Sequence, residues 1–348
     1  MNEPWRTGGK LGHADHIREA AESISSAAGS ALAASWRRSL LYHRLDPETQ
    51  SSPDRVDAAA LREARERLGA LTEIAAPTLE RLLSAVGQSG CCVLLTDSEG
   101  LILERRGTAA DDEFFAQWGL WTGTIWSERQ EGTNGIGTCL AEQRPVIIHR
   151  DQHFHTRNTA MTCTGAPLFD ENARLAAVLD VSSCRGDLTE DLALLIATLI
   201  ADAARRIESD SFRAAFPDCR IVMAPAHGYR GSALLAVDRY DLVIGATRTA
   251  RQTLGLTDKS LASARPLADI LASSRQTSDL RAAERAELQR ALARTDGNVS
   301  AAARDLGIGR ATLYRRMRRL GLAKGTSTIA RIAGEHDYHD EGPQLSHN

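Results

Sequence analysis

TGAPLFDENARLAAVLDVSS occupies residues 164–183 and contains two apolar runs joined by a polar segment. The polar residues lie at Asp170–Ala173, where Asp and Asn side chains favour a tight turn. Because two short apolar runs on either side of such a turn are typical of a β-hairpin, we predict a hairpin here. This hairpin should belong to an antiparallel sheet.

Three further segments have the composition of short strands. CCVLLTD at 91–97 and LILERRG at 101–107 are separated by a Ser-Glu-Gly turn, and RPVIIHR occupies 144–150. Short apolar runs bounded by turn residues favour strands over helices. The chain from 91 to 183 is therefore expected to form a mainly antiparallel sheet.

Two apolar helical segments bracket this sheet. Apolar residues recur at helical spacing from Asp57 to Val86, and TEDLALLIATLIADAARRIESD at 189–210 has the length of one long helix. Pro77 is expected to kink or restart the first helix. Helices and sheet together predict an α+β domain over residues 58–209.

The remaining segments divide the chain further. Residues 1–57 are predicted to be a helical extension, with a short helix at AASWRRSLLYHRL, and residues 210–275 to be a small strand–turn–strand–helix unit or a linker. Residues 326–348 lack periodicity and are expected to be a disordered tail. The fold expected for the whole chain is α+β followed by an all-α module at 276–325.

GNVSAAARDLGIGRATLYRRMRRLGL, residues 297–322, has the pattern of a helix-turn-helix. Asn298 can cap a first helix, Gly307 suits its left-handed end, and a basic second helix begins near Arg310. Its apolar residues Leu313, Met317 and Leu320 share one face, which leaves the arginines on the other. A short helix, a glycine turn and a basic amphipathic helix are typical of DNA-binding modules.

The charge is distributed as this interpretation requires. Residues 278–325 hold eleven Lys and Arg against five acids, a net charge of +6, so the rest of the chain carries −9 of the total of −3. A basic module on an acidic body favours a polyanionic partner for the module alone. Six irregularly spaced cysteines and an N-terminus without an apolar core favour a cytoplasmic protein without a membrane segment.

LQRALARTDGNVSAAARDLGIGRATLYRRMRRLGL resembles the Fis-type helix-turn-helix of bacterial enhancer-binding activators. The resemblance implies that the second helix enters the major groove of double-stranded DNA, as a dimer on an inverted repeat. Gly309 lies where many relatives have a capping Ser or Asn. The DNA-binding residues expected are Asn298, Ser300, Arg310, Thr312, Tyr314, Arg315, Arg316, Arg318 and Arg319.

The stretches SWRRSLLYHRLDPE and 126–183 resemble the amino-terminal half of the acetoin catabolism regulator class, sigma-54-dependent activators. In that class the stretch at 126–183 forms a GAF domain, a small-molecule sensor, and ALLAVDRYDLVIGATRTARQTLGL resembles the PAS-like segment after it. Relatives carry a large ATPase domain between sensor and tail, whereas about 70 residues fill this interval here. With no G-x-x-x-x-G-K-[ST] in the chain, neither ATP hydrolysis nor remodelling of sigma-54 polymerase is expected.

Candidate ligand-binding residues cluster in the predicted sensor. Three tryptophans within nine residues could line an apolar pocket or form ordinary core, and GTNGIGT at 132–138 favours a turn and helix start over a phosphate cradle. The candidates are Trp118, Trp121, Trp126, Glu131, Asn134, Cys139, His149, His153, Cys163 and Asp180.

A metal site is a weaker alternative. His149, Asp151, His153, His155 and Cys163 could hold iron or zinc, but hydrogen-bonded loop and pocket roles are favoured, so no metal is predicted and the cofactor is unknown. The cysteines could sense oxidants, although their apolar contexts favour buried, unreactive thiols.

The sequence thus predicts a transcription regulator that senses a small-molecule effector, is not an enzyme, and forms a homodimer through the helices flanking the sheet. RNA polymerase is a further expected partner. Two alternatives remain open. One is a GAF-based reductase of methionine sulfoxide, and the other is a silencer that forms heterodimers with a full-length sigma-54 activator.

Overall fold

The computed structural model describes residues 12–23, 28–224, 232–272 and 280–322. Contacts divide the chain into two units, and the second takes residues 239–242 as well as those from 264 onward. The predicted tail at 326–348 lies outside the described residues. Within the described ranges, no helix has both the length and the apolar character needed to cross a membrane.

The first unit is built on a five-stranded sheet, which we call the sensor sheet. Its strand order is β2-β1-β5-β4-β3, and all neighbouring strands are antiparallel. The predicted hairpin is present as β4 and β5, and the α+β prediction is confirmed. The strands are β1 (Cys91–Asp97), β2 (Ile102–Arg106), β3 (Val146–His149), β4 (Thr162–Phe169) and β5 (Leu175–Ser183).

Helices surround this sheet. Those of the first unit up to the end of the sensor region are α1 (His13–Glu22), α2 (Ala31–Arg37), α3 (Ala58–Leu68), α4 (Ala70–Val86), α5 (Asp112–Gln117), α6 (Glu128–Glu131), α7 (Gly135–Glu142) and α8 (Glu190–Ala215). The predicted restart at Pro77 is wrong, because Pro77 lies inside α4, which continues to Val86. The interruption is at Gly69, whose φ of 57° is a left-handed value that glycine adopts without a Cβ clash.

The two faces of the sensor sheet have different surroundings. Val93, Leu95, Leu179 and Val181 pack with α4 and α8 in the largest apolar cluster. Because side chains alternate along a strand, the intervening residues face the other way. We call this second face the tryptophan face, since Trp118 and Trp126 pack over its Cys92, Leu94 and Cys163.

The N-terminal extension is attached to the sensor region by a buried polar network. Glu128 is 5% exposed. It accepts hydrogen bonds from the Ser35 hydroxyl and from Nε of Arg38, the latter at 2.8 Å. Trp36 also donates from Nε1 to the Gln152 carbonyl at 2.8 Å. These contacts place SWRRS in the same folded unit as the sheet.

A second, smaller set of elements follows α8. It comprises β6 (Arg220–Met223), β7 (Leu234–Val237), β8 (Leu242–Ala246), α9 (Arg248–Leu254) and α10 (Asp258–Ala262). The three strands are antiparallel in the order β6-β7-β8. The predicted strand, turn, strand and helix are present, and their likeness to a PAS domain stays a prediction.

The second unit contains the predicted three-helix module. Its elements are β9 (Arg265–Pro266), α11 (Leu267–Ala272), α12 (Leu280–Arg294), α13 (Val299–Asp305) and α14 (Arg310–Arg319). Its core includes the expected Leu313 and Met317, with Leu320 at the margin. Tyr240 packs against this core, and its carbonyl accepts a hydrogen bond from Gln289 Nε2 at 3.1 Å.

Candidate functional site

Asp180 lies fully buried at the centre of the tryptophan face. Its neighbours across the strands are Leu94 on β1 and Gly165 on β4. The Ser182 hydroxyl donates to Oδ2 at 2.5 Å, whereas Oδ1 has no hydrogen-bond partner among the described residues. Burial raises the pKa of the Asp180 carboxyl to about 7. The sheet therefore presents one unsatisfied carboxyl oxygen inside an apolar layer.

The glycine-rich stretch brings α7 against this carboxyl. A Cβ on Gly135 would lie 2.5 Å from the Cys163 Cβ and 2.7 Å from Asp180 Oδ1, which is too close for any side chain. Asn134 caps α7 by accepting a hydrogen bond from the Gly137 N–H at 2.8 Å. The interpretation of GTNGIGT as a turn and helix start agrees with this geometry.

The three candidate tryptophans have different environments. Trp126 is buried and donates from Nε1 to the Gly119 carbonyl at 2.9 Å. Trp118 is partly buried in the same cluster. Trp121 is also half-buried, and its ring stacks on the guanidinium of Arg105, with Cζ 4.4 Å from the ring centroid. Arg105 was not among the predicted site residues.

The candidate histidines are engaged in separate hydrogen bonds. His153 is buried, with Nε2 3.3 Å from the Cys163 sulfur and Nδ1 2.9 Å from the Arg150 carbonyl. Burial lowers the pKa of His153 to about 4. His149 Nδ1 lies 2.8 Å from the Thr162 hydroxyl. In the part of the chain that the structure describes, no three His, Cys, Asp or Glu side chains assemble as a metal site would require.

The cysteines of the sensor sheet and of the adjoining helix α7 are buried thiols. Burial is the main cause that raises the pKa values of Cys92, Cys139 and Cys163 well above the ordinary value for a thiol. The thiolate is the reactive form of cysteine, so these residues are poorly suited to redox chemistry. Their buried environment favours a role in core packing over a role as sensors of oxidants.

Glu131 belongs to a second buried cluster. It forms an ion pair with Arg157, and burial raises the pKa of Glu131 to about 7 despite that partner. The Nδ2 of Asn158 is buried and has no partner among the described residues. The sequence carries no signal for this ion pair, since nothing local joins residues 26 positions apart.

In the second unit, α13 and α14 expose the predicted basic surface. The Asn298 side chain accepts hydrogen bonds from the Ser300 and Ala301 N–H groups, both at 3.1 Å, so the predicted cap is present. Gly307 has a φ of 64°, as its predicted place at the helix end requires. Gly309 precedes α14 without a side-chain cap.

The arginines of α14 fall into two groups. Arg316 and Arg319 form ion pairs with Glu284 of α12, at 3.5 and 2.5 Å. Arg310, Arg315 and Arg318 are exposed and form no ion pair with another described residue. Thr312 lies beside Arg315, which donates to its hydroxyl at 3.4 Å, and Arg310 lies over the exposed Tyr314 ring. The second group is free to contact an anionic partner.

Comparisons with known proteins agree with this architecture. Residues 13–209, more than half of the chain, match the family model described as MimR, N-terminal domain. The chain belongs to the MimR N-terminal domain family. Residues 279–320 match the model described as bacterial regulatory protein, Fis family. The helix-turn-helix prediction and the resemblance to the acetoin regulator class are thereby confirmed.

Relatives of this MimR-family chain include named transcription regulators. It is 33% identical over 224 residues to the acetoin catabolism regulatory protein of Cupriavidus necator, covering 63% of this chain and 34% of the relative. It is 31% identical over 175 residues to the acetoin dehydrogenase operon transcriptional activator AcoR of Bacillus subtilis, covering 50% and 29%.

The propane 2-monooxygenase operon transcriptional activator MimR of Mycolicibacterium smegmatis is also 31% identical over 175 residues, which cover 49% of this chain and 28% of MimR. The chain thus spans about a third of the length of the curated relatives that it matches. A solved structure, the E. coli DhaR(N)–DhaL complex, aligns with a TM-score of 0.48 at 18% identity, covering 69% of this chain and 80% of that chain.

Proposed function

We propose that this MimR-family protein is a transcription regulator in which a small molecule, bound at the tryptophan face, changes DNA binding by α13 and α14. The observation that carries the sensor part is Asp180. A buried carboxyl with one unsatisfied oxygen, on the sheet face over which Trp118 and Trp126 pack, is the kind of polar group that orients a ligand in an apolar pocket.

Three features of α14 support the DNA-binding part. Its apolar residues are buried, so its orientation in the second unit is fixed. Its first exposed residue, Arg310, begins the helix whose N-terminal part contacts bases in helix-turn-helix proteins. The unpaired Arg315 and Arg318 continue the basic surface and are suited to phosphates and guanine edges.

Dimerisation is proposed through α8. Leu194, Leu195 and Leu199 are 55, 64 and 43% exposed on this helix. Leu195 and Leu199 also line an apolar cavity of about 280 Å³ between α4 and α8. An exposed apolar patch of this kind favours a protein partner, and a second copy would match an inverted repeat in DNA.

The regulator is proposed to act without an ATPase motor between its sensor and its DNA-binding unit. The interval between the two matched family models, residues 210–278, is too short for that domain. Regulation would then depend on recruiting or blocking RNA polymerase. The buried, high-pKa cysteines give no support to the alternative of a reductase.

The test is a measurement of DNA affinity with and without effector. Genome-wide binding by the protein would first define an operator. Two relatives are named for acetoin metabolism, so acetoin is the first compound to assay. We expect an effector to change operator affinity in the wild type, and Asp180→Asn to weaken that response. An operator affinity that no metabolite extract or candidate compound alters would refute the sensor role, while loss of operator preference is expected only from α14 variants.

A further inference from the structure

A second buried charge lies on the tryptophan face, in the same cross-strand row as Asp180. Arg105 of β2 pairs with Leu94 of β1, and Leu94 pairs with Asp180 of β5. The Arg105 side chain is only 8% exposed. Its guanidinium lies over the rings of Trp121 and Phe115, with Cζ 4.4 and 5.3 Å from their centroids. The row therefore holds a cation and a carboxyl on either side of one leucine.

One edge of this guanidinium has no partner. Nη1 donates to Asp112 Oδ1 at 2.7 Å. Nε and Nη2 are inaccessible to solvent and donate to no described residue. A guanidinium is always charged and carries five N–H donors in a fixed plane, so a buried edge without an acceptor is costly.

Gly107 contributes to this arrangement. A Cβ at position 107 would lie 2.6 Å from Nη2 and 3.0 Å from Cζ. Any larger residue would therefore push on the guanidinium. Glycine lets the backbone approach Arg105 while supplying no acceptor to the free edge.

We propose that Arg105 binds the carboxylate of a small organic acid through its Nε and Nη2 groups, and that this acid is the effector of the sensor. The inference rests on the proposed function, because it assigns a ligand class to the same face. Two adjacent N–H donors match the two oxygens of a carboxylate. Asp180 Oδ1, which lies two strands away beside Gly135, is not needed for this contact.

The surroundings favour a carboxylate over a phosphate. Trp121, Phe115 and Leu94 are apolar neighbours that suit a carbon skeleton. Arg105 is a single cation that already has Asp112 as a partner, so a phosphate dianion would bring twice the uncompensated charge of a carboxylate into a buried place.

The experiment titrates the full chain with a matched set of probes. Lactate carries both carboxylate and hydroxyl, propionate lacks the hydroxyl, lactamide lacks the charge, and inorganic phosphate tests the other oxyanion. Binding is followed by calorimetry and by tryptophan fluorescence, to which Trp121 should contribute. We expect lactate to bind at least about tenfold more tightly than lactamide, because only the carboxylate fills the guanidinium edge.

Variants assign the effect to Arg105. Arg105→Lys keeps the positive charge but loses the two adjacent N–H donors of the guanidinium, and should weaken lactate binding by about tenfold or more. Asp112→Asn leaves the Nε and Nη2 edge in place and should retain binding. If Arg105→Lys does not fold, as judged by circular dichroism, the wild-type Arg105 Nε–H resonance is followed by NMR and should shift with lactate.

Several outcomes would overturn the proposal. These are unchanged affinity in Arg105→Lys, an unshifted Nε–H resonance, binding of phosphate in preference to the carboxylates, and binding of none of the carboxylates at saturating concentration. If acetoin or lactamide bound instead and Asp180→Asn removed that binding, the carboxylate assignment would fail while the sensor role stood. Loss of the sensor role itself would appear as an operator affinity that no ligand changes.

Discussion

At the scale of the residue, burial determines the pKa of Asp180. Its carboxyl has a pKa of about 7 in the folded protein against 3.8 for an exposed aspartate. The folded state therefore holds a proton more tightly than the unfolded state. The contribution of Asp180 to the free energy of unfolding therefore falls as pH rises from about 4 to about 7. Above about pH 7 it is constant, since the carboxyl is then ionised in both the folded and the unfolded state.

We predict that Asp180→Asn raises the free energy of unfolding at pH 8 by a few kcal/mol, on the order of the pKa difference converted to free energy. The gain should disappear toward pH 4. Denaturant titrations across this pH range would measure it. Glu131 and Glu208 also have pKa values raised to about 7, so the comparison must be between variant and wild type. Asp187→Asn, at an exposed position, serves as the control and should show no such pH-dependent gain.

Arg38 provides a second prediction at this scale. It pairs with Glu128, whose side chain is 5% exposed, while Arg38 itself is 34% exposed. Arg38→Met should lower the free energy of unfolding by roughly 2–4 kcal/mol, because a buried carboxylate would lose its cation. Arg62→Met, at an exposed position of α3, is the control. Equal stability of the two variants in urea titrations would show that the Glu128 network contributes little.

Some site residues could be predicted from sequence and others could not, for local reasons. Asn134 and Asn298 are caps, and a cap depends on the residues that follow it within one turn. Arg105 could not be placed, because a bulge between Leu95 and Thr96 changes the alternation of β2 relative to β1. A one-residue shift of this kind exchanges the two faces of a strand, and the sequence carries no signal for it.

At the scale of the element, the arginines of α14 differ in whether they already have an ion-pair partner. Arg315 has no ion-pair partner among the described residues, whereas Arg319 pairs with Glu284 at 2.5 Å. We predict that Arg315→Ala weakens specific DNA binding by about 1–3 kcal/mol if it contacts a base edge. Arg319→Ala should cost less, because its charge is partly neutralised. Fluorescence anisotropy with specific and scrambled operator DNA would separate the two effects.

The control at this scale is Arg290→Ala, on α12, where the arginine pairs with Glu287 at 2.7 Å. It should leave operator affinity unchanged. A loss in Arg319→Ala as large as that in Arg315→Ala would contradict the division of α14 into paired and unpaired arginines.

The helices could be predicted from the sequence more reliably than the residues at which they begin and end. The apolar spacing of α14 identifies the helix and its buried face, and the long apolar run of α8 identifies that helix, since these signals are repeated over several turns. The spacing from Asp57 to Val86 predicts one helical stretch that Pro77 kinks or restarts, because proline removes a hydrogen-bond donor. The boundary between α3 and α4 lies instead at Gly69, whose positive φ ends the first helix, while α4 continues through Pro77.

At the scale of the whole molecule, the exposed leucines of α8 make a prediction about assembly. Leu195→Glu combined with Leu199→Glu should shift the chain toward monomer, because charged side chains would have to be desolvated in the proposed interface. Sedimentation or light scattering would measure the change. Weaker binding to an inverted repeat, with little change for a half-site, should accompany it.

Leu41→Glu is the matched control, since Leu41 is 48% exposed outside α8. A double variant that kept the mass of a dimer would refute the α8 interface and favour another face. Heterodimers formed on mixing with a full-length sigma-54 activator would instead support the silencer alternative.

The second unit is made of two separate segments of the chain, and this has a practical consequence for protein engineering. Tyr240 packs on the core of α12–α14 and lies against Gly297, where a Cβ would be 3.1 Å from its hydroxyl. Residues 239–242 are separated in sequence from the rest of that unit. A chimaera that transplants only the C-terminal helices onto a foreign sensor would leave this tyrosine behind. Such a fusion should carry a less stable DNA-binding module than one whose boundary precedes residue 239.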